Sequence, residues 1–520
     1  MPIGHSPRKY WALRTVVLLV DLLTPLCCLY TLSHALHPVV TSRPLAAYCL
    51  VETLFLAFTT WKRHEFQATV KEGVYPMLRS EERLYLFNLL MKEVSRFPAF
   101  LTSQFMWADT HAQLTAKDVS ELRMDNVREF MAWFLFAQKS FEEIRPELAA
   151  EADSMLKHAF CAHGLAPLQE GYNPKIKATT LTHNKVEAYH KPLAMYAIIA
   201  ALEKTSHLPL RVLGFRRWRA KSPATGLTYW LRYPKRATRH RRDDKDLPLV
   251  FIHGLGGGLW CYVKFIAKLW YTQRERPIYL VELPHVSMRF TKDSPDPDAS
   301  VRSIAKMLAD HGHGAAVFVG HSLGTAYLSY INKHTTLAVG NVFLDPVVFR
   351  IYDTSLLYNF VHRRPGAGGT EKKANHLLMH WLVARELWIS HWISRHFIWH
   401  RIHLPADRLP AAHTHVVIPE RDNLINDAGG SIVKYLRGHG IATTVHAGAD
   451  HAQFIIDEAL ENDIVEKIGA VLRSAGREWS RKRGPHAANL FSPATTASTT
   501  TAMAMAKAAR PRRVHAAASG

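Results

Sequence analysis

Gly320-His-Ser-Leu-Gly324 sets a serine between glycines two residues away on either side, with an apolar run at 315–319 before it and a helical pattern from Thr325 after it. A strand that turns sharply into a helix strains the backbone at the serine and brings neighbouring chain too close for a Cβ. Glycine suits both flanks, and the hydroxyl is pushed clear. The start of a helix also favours negative charge that develops there. Ser322 therefore stands where a nucleophile would. A second turn, His253-Gly-Leu-Gly-Gly-Gly258, follows the apolar run 247–252. Its glycines leave backbone N–H groups free to face a ligand. A serine hydroxyl is a poor nucleophile at neutral pH, so the chemistry also needs a base within hydrogen-bond reach and a third group to orient that base. The chain has 31 histidines, so position rather than presence must identify the base.

Both turns need strands to carry them. Further strands are expected at 277–281, 341–344, 415–419 and 441–446, with helices at 260–269, 300–310 and 431–437 and a closing helix at 453–472. Strands that alternate with helices predict a parallel sheet with helices on its faces. A third motif, Gly448-Ala-Asp-His-Ala-Gln453, follows the last strand. In this order the three motifs resemble the α/β-hydrolase superfamily, in particular its membrane-attached lipase- and esterase-like members, over roughly residues 245–472.

That resemblance implies an α/β-hydrolase fold and a triad in the chain order Ser, Asp, His. Ser322 would be the nucleophile and His451 the base. Asp422, after the penultimate strand, would be the acid, with Asp345 as the alternative one strand earlier and Asp427 behind both. The oxyanion would be held by the N–H groups of Leu323 and Leu255, the latter in the turn built from His253, Gly254, Gly256 and Gly257, where His253 plays a structural part. A serine nucleophile leaves hydrolysis of a carboxylic ester or thioester, or acyl transfer to another alcohol, with an inactive hydrolase-fold scaffold as the non-enzymatic alternative. No metal or organic cofactor is implied. His376/His380 and His396/His400 have helical spacing for zinc but lack a third ligand in any motif.

Lysine and arginine exceed aspartate and glutamate by 65 to 44, a net charge of +21 that favours acidic partners. Eleven of these cations and no acid lie between 211 and 242. No nucleic-acid-binding motif accompanies them, so a face near anionic lipid is expected and a nucleic acid partner is not. Within this stretch, 228–233 alternates like an edge strand. Five scattered cysteines show neither disulfide nor metal spacing and suit a reduced compartment.

The apolar runs 15–33 and 44–61 are each long enough to cross a bilayer, which predicts a membrane hairpin over 1–65. Asp21 and Glu52 interrupt them and require polar partners. Basic residues flank the outer ends of the hairpin, with only Arg43 between the runs, so both ends and the catalytic part are expected on the cytosolic side of a membrane, the endoplasmic reticulum or another endomembrane. Residues 66–210 read as a helical extension that links the hairpin to the core or shapes a substrate tunnel. The core is expected over 211–346 and 411–475, interrupted by a helical cap or lid at 347–410, and 476–520 reads as a disordered basic tail. Trp381, Trp388, Trp392 and Trp399 recur at steps of seven, four and seven, one helical stripe that either packs on the domain below or offers an aromatic face to the bilayer or an acyl chain. The expected partners are thus a lipid bilayer and a lipid ester substrate.

Overall fold

Eight short runs rich in β-branched and aromatic residues assemble into one sheet. The computed structural model describes residues 6–37, 42–68, 77–94, 96–220, 226–234, 247–291, 295–353, 355–366, 372–425 and 430–483. Its strands are β1 (Arg216–Arg219), β2 (Thr228–Arg232), β3 (Leu249–Ile252), β4 (Ile278–Val281), β5 (Ala316–His321), β6 (Ala338–Leu344), β7 (Thr414–Pro419) and β8 (Ala442–His446). They lie in the order β1-β2-β4-β3-β5-β6-β7-β8. From β3 to β8 all neighbours are parallel, while β1–β2 and β2–β4 are antiparallel. Successive side chains go to opposite faces. Val250, Ile252 and Phe318 join the core on one side, and Leu249, Phe251, Val317 and Val319 the core on the other. Both faces are covered by helices, as a parallel sheet requires.

Residues 228–233 were expected at the edge. The strand there, β2, is second from it, and the edge belongs to β1, whose four residues Arg-Arg-Trp-Arg are all exposed. Charge on an unpaired edge discourages further strand pairing. The basic stretch is not all solvated face: Arg217 pairs with the buried Glu282 at 2.7 Å, and the buried Arg232 donates to the Arg274 carbonyl at 2.7 Å. Its part at 235–242 lies outside the described residues.

α1 (Pro7–Leu36) and α2 (Arg43–Ala68) pair along their length, and both are longer than the expected spans. Each is long and apolar enough to cross a membrane. One side of each docks on the rest of the chain. Tyr10 and Val17 pack with Leu377 and Trp381, while Phe55 and Phe66 pack with Tyr196, Leu387 and Trp388. The two acids find polar partners there. Asp21 Oδ1 accepts the Trp381 indole N–H at 2.9 Å. Glu52 is fully buried and accepts from the Thr24 hydroxyl at 2.7 Å and the Leu193 N–H at 2.9 Å, with His190 Nε2 at 3.2 Å. The opposite sides expose Leu18, Leu19, Leu22, Leu26, Leu29, Leu54 and Trp61.

The helical extension includes helices Met124–Phe136 and Pro146–Ala162, a two-stranded ribbon pairing Phe105–Trp107 with Ile176–Ala178, and α3 (Leu193–Val212). α4 (Gly324–His334) follows β5. Between β6 and β7 the cap contains two π-helical segments, Tyr358–His362 and Met379–Ala384, then α5 (Leu387–His396) and the short helix Trp399–Ile402. The four tryptophans therefore do not share one helix. The π segment ends at Ala384, and Glu386 caps α5 by accepting from the N–H groups of Trp388 and Ile389, which breaks the periodicity. All four indoles are buried. Trp388 donates to the Thr291 carbonyl, and Trp399 donates to the Phe134 carbonyl and stacks on that ring with centroids 4.1 Å apart. They fasten the cap to its neighbours and form no aromatic face toward bilayer or solvent.

The closing helix α6 (Glu458–Arg483) runs well beyond the expected end at 472 and past 476, because Ala475 and Trp479 still pack on the sheet. The remainder of the expected tail, 484–520, lies outside the described residues.

Candidate active site

β5 ends at His321, and the next residue, Ser322, has φ +52°, a left-handed conformation rare for a side chain that carries a Cβ. The turn is held by Ser322 N–H donating to the Leu344 carbonyl at 2.9 Å and by Thr325 N–H returning to the Ser322 carbonyl at 2.9 Å. α4 starts so close to β3 that a Cβ on Gly324 would lie 2.2 Å from the Ile252 carbonyl oxygen. A Cβ on Gly254 would likewise meet the Ser322 Cβ at 3.0 Å. Strand, elbow and glycine turn are locked together by close backbone approach.

Residues far apart in sequence then converge on the serine. Ser322 Oγ lies 2.9 Å from His451 Nε2, and His451 Nδ1 lies 2.8 Å from Asp422 Oδ2. A carboxylate only accepts, so Nδ1 carries the hydrogen and Nε2 presents its lone pair to the hydroxyl. The other oxygen of Asp422 accepts the N–H groups of Leu424 at 2.8 Å and Ile425 at 3.0 Å, which fixes the carboxylate in its loop. Burial alone would push the His451 imidazole down, but the charge and hydrogen bond of Asp422, with Asp345 and Asp450 adding to them, hold it above its usual value.

Asp345 sits apart from this chain of bonds. Its Oδ2 accepts the Ala452 N–H at 2.6 Å and faces His321 Nε2 at 3.3 Å. The Tyr262 hydroxyl is 2.7 Å from His321 Nδ1 and accepts the Gly254 N–H at 3.2 Å. Burial raises the Asp345 carboxyl, but His321 outweighs that and holds it below the usual carboxylate range. The alternative acid thus braces the loop of His451 from its far side and makes no hydrogen bond to the His451 ring. Asp427 lies outside the described residues.

Sequence reasoning did not single out Asp450. Its Oδ1 accepts the N–H groups of His451 at 2.8 Å and Asn423 at 3.0 Å, and its Oδ2 accepts the Asn375 side-chain amide at 2.7 Å. One buried carboxylate ties the histidine loop, the acid loop and the cap together. Its only sequence signal is its position beside His451.

In the glycine turn, His253 Nε2 accepts the Leu283 N–H at 3.0 Å, so Nδ1 carries the hydrogen donated to the Gly254 carbonyl at 2.7 Å. Buried and neutral, with its pKa pushed down to about 4 by desolvation, His253 holds the turn in shape. Gly256 N–H donates to the Val286 carbonyl at 3.0 Å, and Gly257 packs against the Trp260 indole where no Cβ would fit. Among the described residues no group takes the N–H of Leu255 or Leu323. Leu255, Ser322 and Leu323 together line a partly open pocket whose remaining walls are apolar: Val347, Leu356, Leu357, Phe360, Val361, Ile393, Phe397 and Leu424. Most of these walls come from the cap. Leu356 and Leu357 also border a second pocket, whose far walls include Gln104, Trp133, Phe134 and Thr179 of the helical extension.

Two groups of side chains among the described residues have metal-ligand proximity: His321 with Asp345 and His451, and Glu203 with His207 and Glu282. In the first, the ring nitrogens already serve Asp345, Tyr262, Ser322 and Asp422. In the second, Arg289 pairs with Glu203, and Arg217 pairs with Glu282 at 2.7 Å, so cations already occupy the acidic ground. The spaced pairs His376/His380 and His396/His400 belong to neither group.

Residues 249–463 match the alpha/beta hydrolase family. The part of the chain that carries β3 to β8 and the site belongs to the α/β-hydrolase superfamily. No curated relative matches. Similar solved structures include a membrane phospholipase A described as a bacterial virulence factor, 14% identical over 53% of this chain and 93% of that one, TM-score 0.36. Others are a lipase-like protein from Acinetobacter baumannii AYE (14%, 53% and 97%, TM-score 0.37) and a carboxylesterase from Bacillus subtilis (10%, 52% and 98%, TM-score 0.35).

Proposed function

We propose that this protein is a membrane-anchored serine hydrolase that cleaves carboxylic esters of lipids through an acyl-enzyme. The observation that carries the reading is the unbroken relay from Ser322 to His451 to Asp422 at the floor of an apolar pocket that Leu255 and Leu323 also line.

In this mechanism Ser322 Oγ attacks the ester carbonyl as its proton passes to His451 Nε2. The negative charge that forms on the carbonyl oxygen is held by the N–H groups of Leu323 and Leu255, each such donor being worth about a hundred- to a thousandfold in rate. Asp422 stabilises the imidazolium and keeps its orientation. As the tetrahedral intermediate collapses, the C–O bond to the alcohol breaks and the imidazolium protonates the leaving oxygen. Water enters next, gives a proton to His451 and attacks the acyl carbon; collapse returns a proton to Ser322 Oγ and releases the acid.

The lipid assignment is supported by walls that offer an acyl chain nothing but hydrocarbon and ring carbon. Membrane attachment is supported by the exposed leucines of α1 and α2. The excess of basic residues outside the hairpin favours a cytosolic catalytic domain. A fluorophosphonate probe should label the full-length protein and fail to label Ser322→Ala, and long-chain acylglycerol and phospholipid esters should be hydrolysed with the same dependence. Equal labelling of the two proteins, or a folded wild type that resists the probe, would overturn the reading.

A further inference from the structure

A partly open pocket lies where the hairpin meets the globular part, walled by α2, residues 188–191, Tyr196 and the start of α5. Among the described residues that line it, Arg63 and Lys191 are cationic and none is acidic, while the Tyr196 hydroxyl donates to Glu386 at 2.8 Å and the Thr59 hydroxyl lies 3.1 Å from the Leu56 carbonyl and 2.8 Å from His190 Nδ1. Lys191 is 1% exposed, and its ammonium has no hydrogen-bond partner among the described residues. It rests 3.5 Å from the centroid of the Trp381 ring. The carboxylates nearest in charge are committed elsewhere, Asp21 to the Trp381 indole and Glu386 to the Tyr196 hydroxyl at 2.8 Å. Arg63 is exposed and has no ion pair among the described residues. Burying a cation that meets only aromatic rings, here Trp381 and Tyr189, is costly, and a cavity beside it lined by a second cation is the arrangement an anion completes. Desolvation, only partly offset by Asp21 and Glu386, holds the Lys191 ammonium down to about 7, as expected where the counter-charge is missing.

The position of the cavity along the hairpin indicates what the anion is. Trp61, the last residue of the apolar run, is exposed two residues before Arg63, and Tyr189 of the cavity wall is exposed as well. Exposed indole and phenol rings followed by basic residues mark the depth of the lipid head groups. We propose that Lys191 and Arg63 bind a phosphate group, either the head group of an anionic phospholipid or free phosphate. The site is separate from Ser322. It shares only α5 with the active-site cavity, which Leu387 walls on the hairpin side and Ile393 on the other. The lipid source rests on the membrane attachment proposed above; the anion site does not.

The test uses full-length Ser322→Ala, so that turnover cannot intervene, placed in nanodiscs of phosphatidylcholine with increasing phosphatidic acid, with bound lipid read by native mass spectrometry. A second arm titrates inorganic phosphate in detergent and follows the melting temperature. Retention of phosphatidic acid should fall about tenfold, the equivalent of one charge-assisted bond, in Arg63→Gln and in Lys191→Met, and stay unchanged in Lys117→Gln. Lys191→Met should also melt higher than its parent when no anion is present, because an unpaired buried charge is gone, which a purely structural lysine would not do. Phosphatidic acid retained in the presence of excess phosphate assigns the site to lipid. Phosphate that stabilises the parent and displaces the lipid assigns it to the free ion. Absence of anion preference in both arms, or parent-like retention in both cavity variants, overturns the proposal. Failure to enter nanodiscs would instead overturn membrane attachment, and the phosphate arm would still test the cavity.

Discussion

Replacing Asp422 by Asn probes the proposed relay at its most informative point. Oδ1 of Asp422 accepts two backbone N–H groups, from Leu424 and Ile425, so in Asp422→Asn the amide oxygen is held on that side. The NH₂ group must then take the place of Oδ2 and face His451 Nδ1, now 2.8 Å from a donor instead of an acceptor. The ring hydrogen moves to Nε2, and the Ser322 hydroxyl, 2.9 Å away, loses its base. The expected loss in kcat is about 10⁴-fold, roughly 5.5 kcal/mol of transition-state stabilisation. Pre-steady-state release of p-nitrophenol from a short-chain ester measures it, with circular dichroism to establish that the fold is kept. The pH profile supplies a second readout. In the wild type His451 is held above the usual imidazole value, and only the neutral ring can accept a proton, so activity rises as pH climbs through that raised value. Without the carboxylate charge the limb should move to lower pH while the plateau drops. Activity of Asp422→Asn within tenfold of wild type, or a larger loss in Asp345→Asn, would refute the assignment of the acid.

Ile393→Trp, which fills the cap side of the cavity, should reduce kcat/KM for long-chain esters by about tenfold or more while sparing an acetate ester, as a chain-length series would show. Gly324→Ala should cost about 3 kcal/mol or more, because its new methyl meets a backbone carbonyl that cannot yield; the thermal midpoint measures this. Trp381→Phe removes the indole hydrogen bond to Asp21 and should loosen α1 by about 1 kcal/mol, seen as faster proteolysis of the hairpin with no loss of fluorophosphonate labelling.

What the sequence disclosed and what it concealed divide along a physical line. The elbow at Ser322 and the turn at 253–258 are local: strain and close approach impose glycine at neighbouring positions, and the apolar strands beside them read directly. β1 was hidden because a strand of Arg-Arg-Trp-Arg has no buried face to produce alternation. The indole spacing in the cap fitted an unbroken helix, and only the capping of α5 by Glu386 with a π-helical segment before it shows that the period was shared by separate elements. Asp422 and Asp345 both follow strand ends, and their difference lies in which imidazole each meets across the fold, His451 or His321. The clasp formed by Asp450 joins positions 375, 423 and 451, contacts without periodicity in sequence.

The hairpin and the active-site cavity are joined through one short element. On α5, Trp388 packs edgewise against Phe66 of α2 and His391 stacks on that same ring with centroids 3.8 Å apart, while Ile393, and Phe397 just beyond the helix, line the cavity above Ser322. Trp388 and Ile393 are five positions apart, about 7.5 Å along a helix axis. A packed helix of that length moves as a unit rather than bending between its two faces. The ring of Phe66 on α2 and the pocket wall at Ile393 are therefore joined through one rigid element, and α2 is the helix whose outer side exposes leucines and an indole. The fold thus places the contact with α2 and the lining of the active-site pocket on the same ten residues.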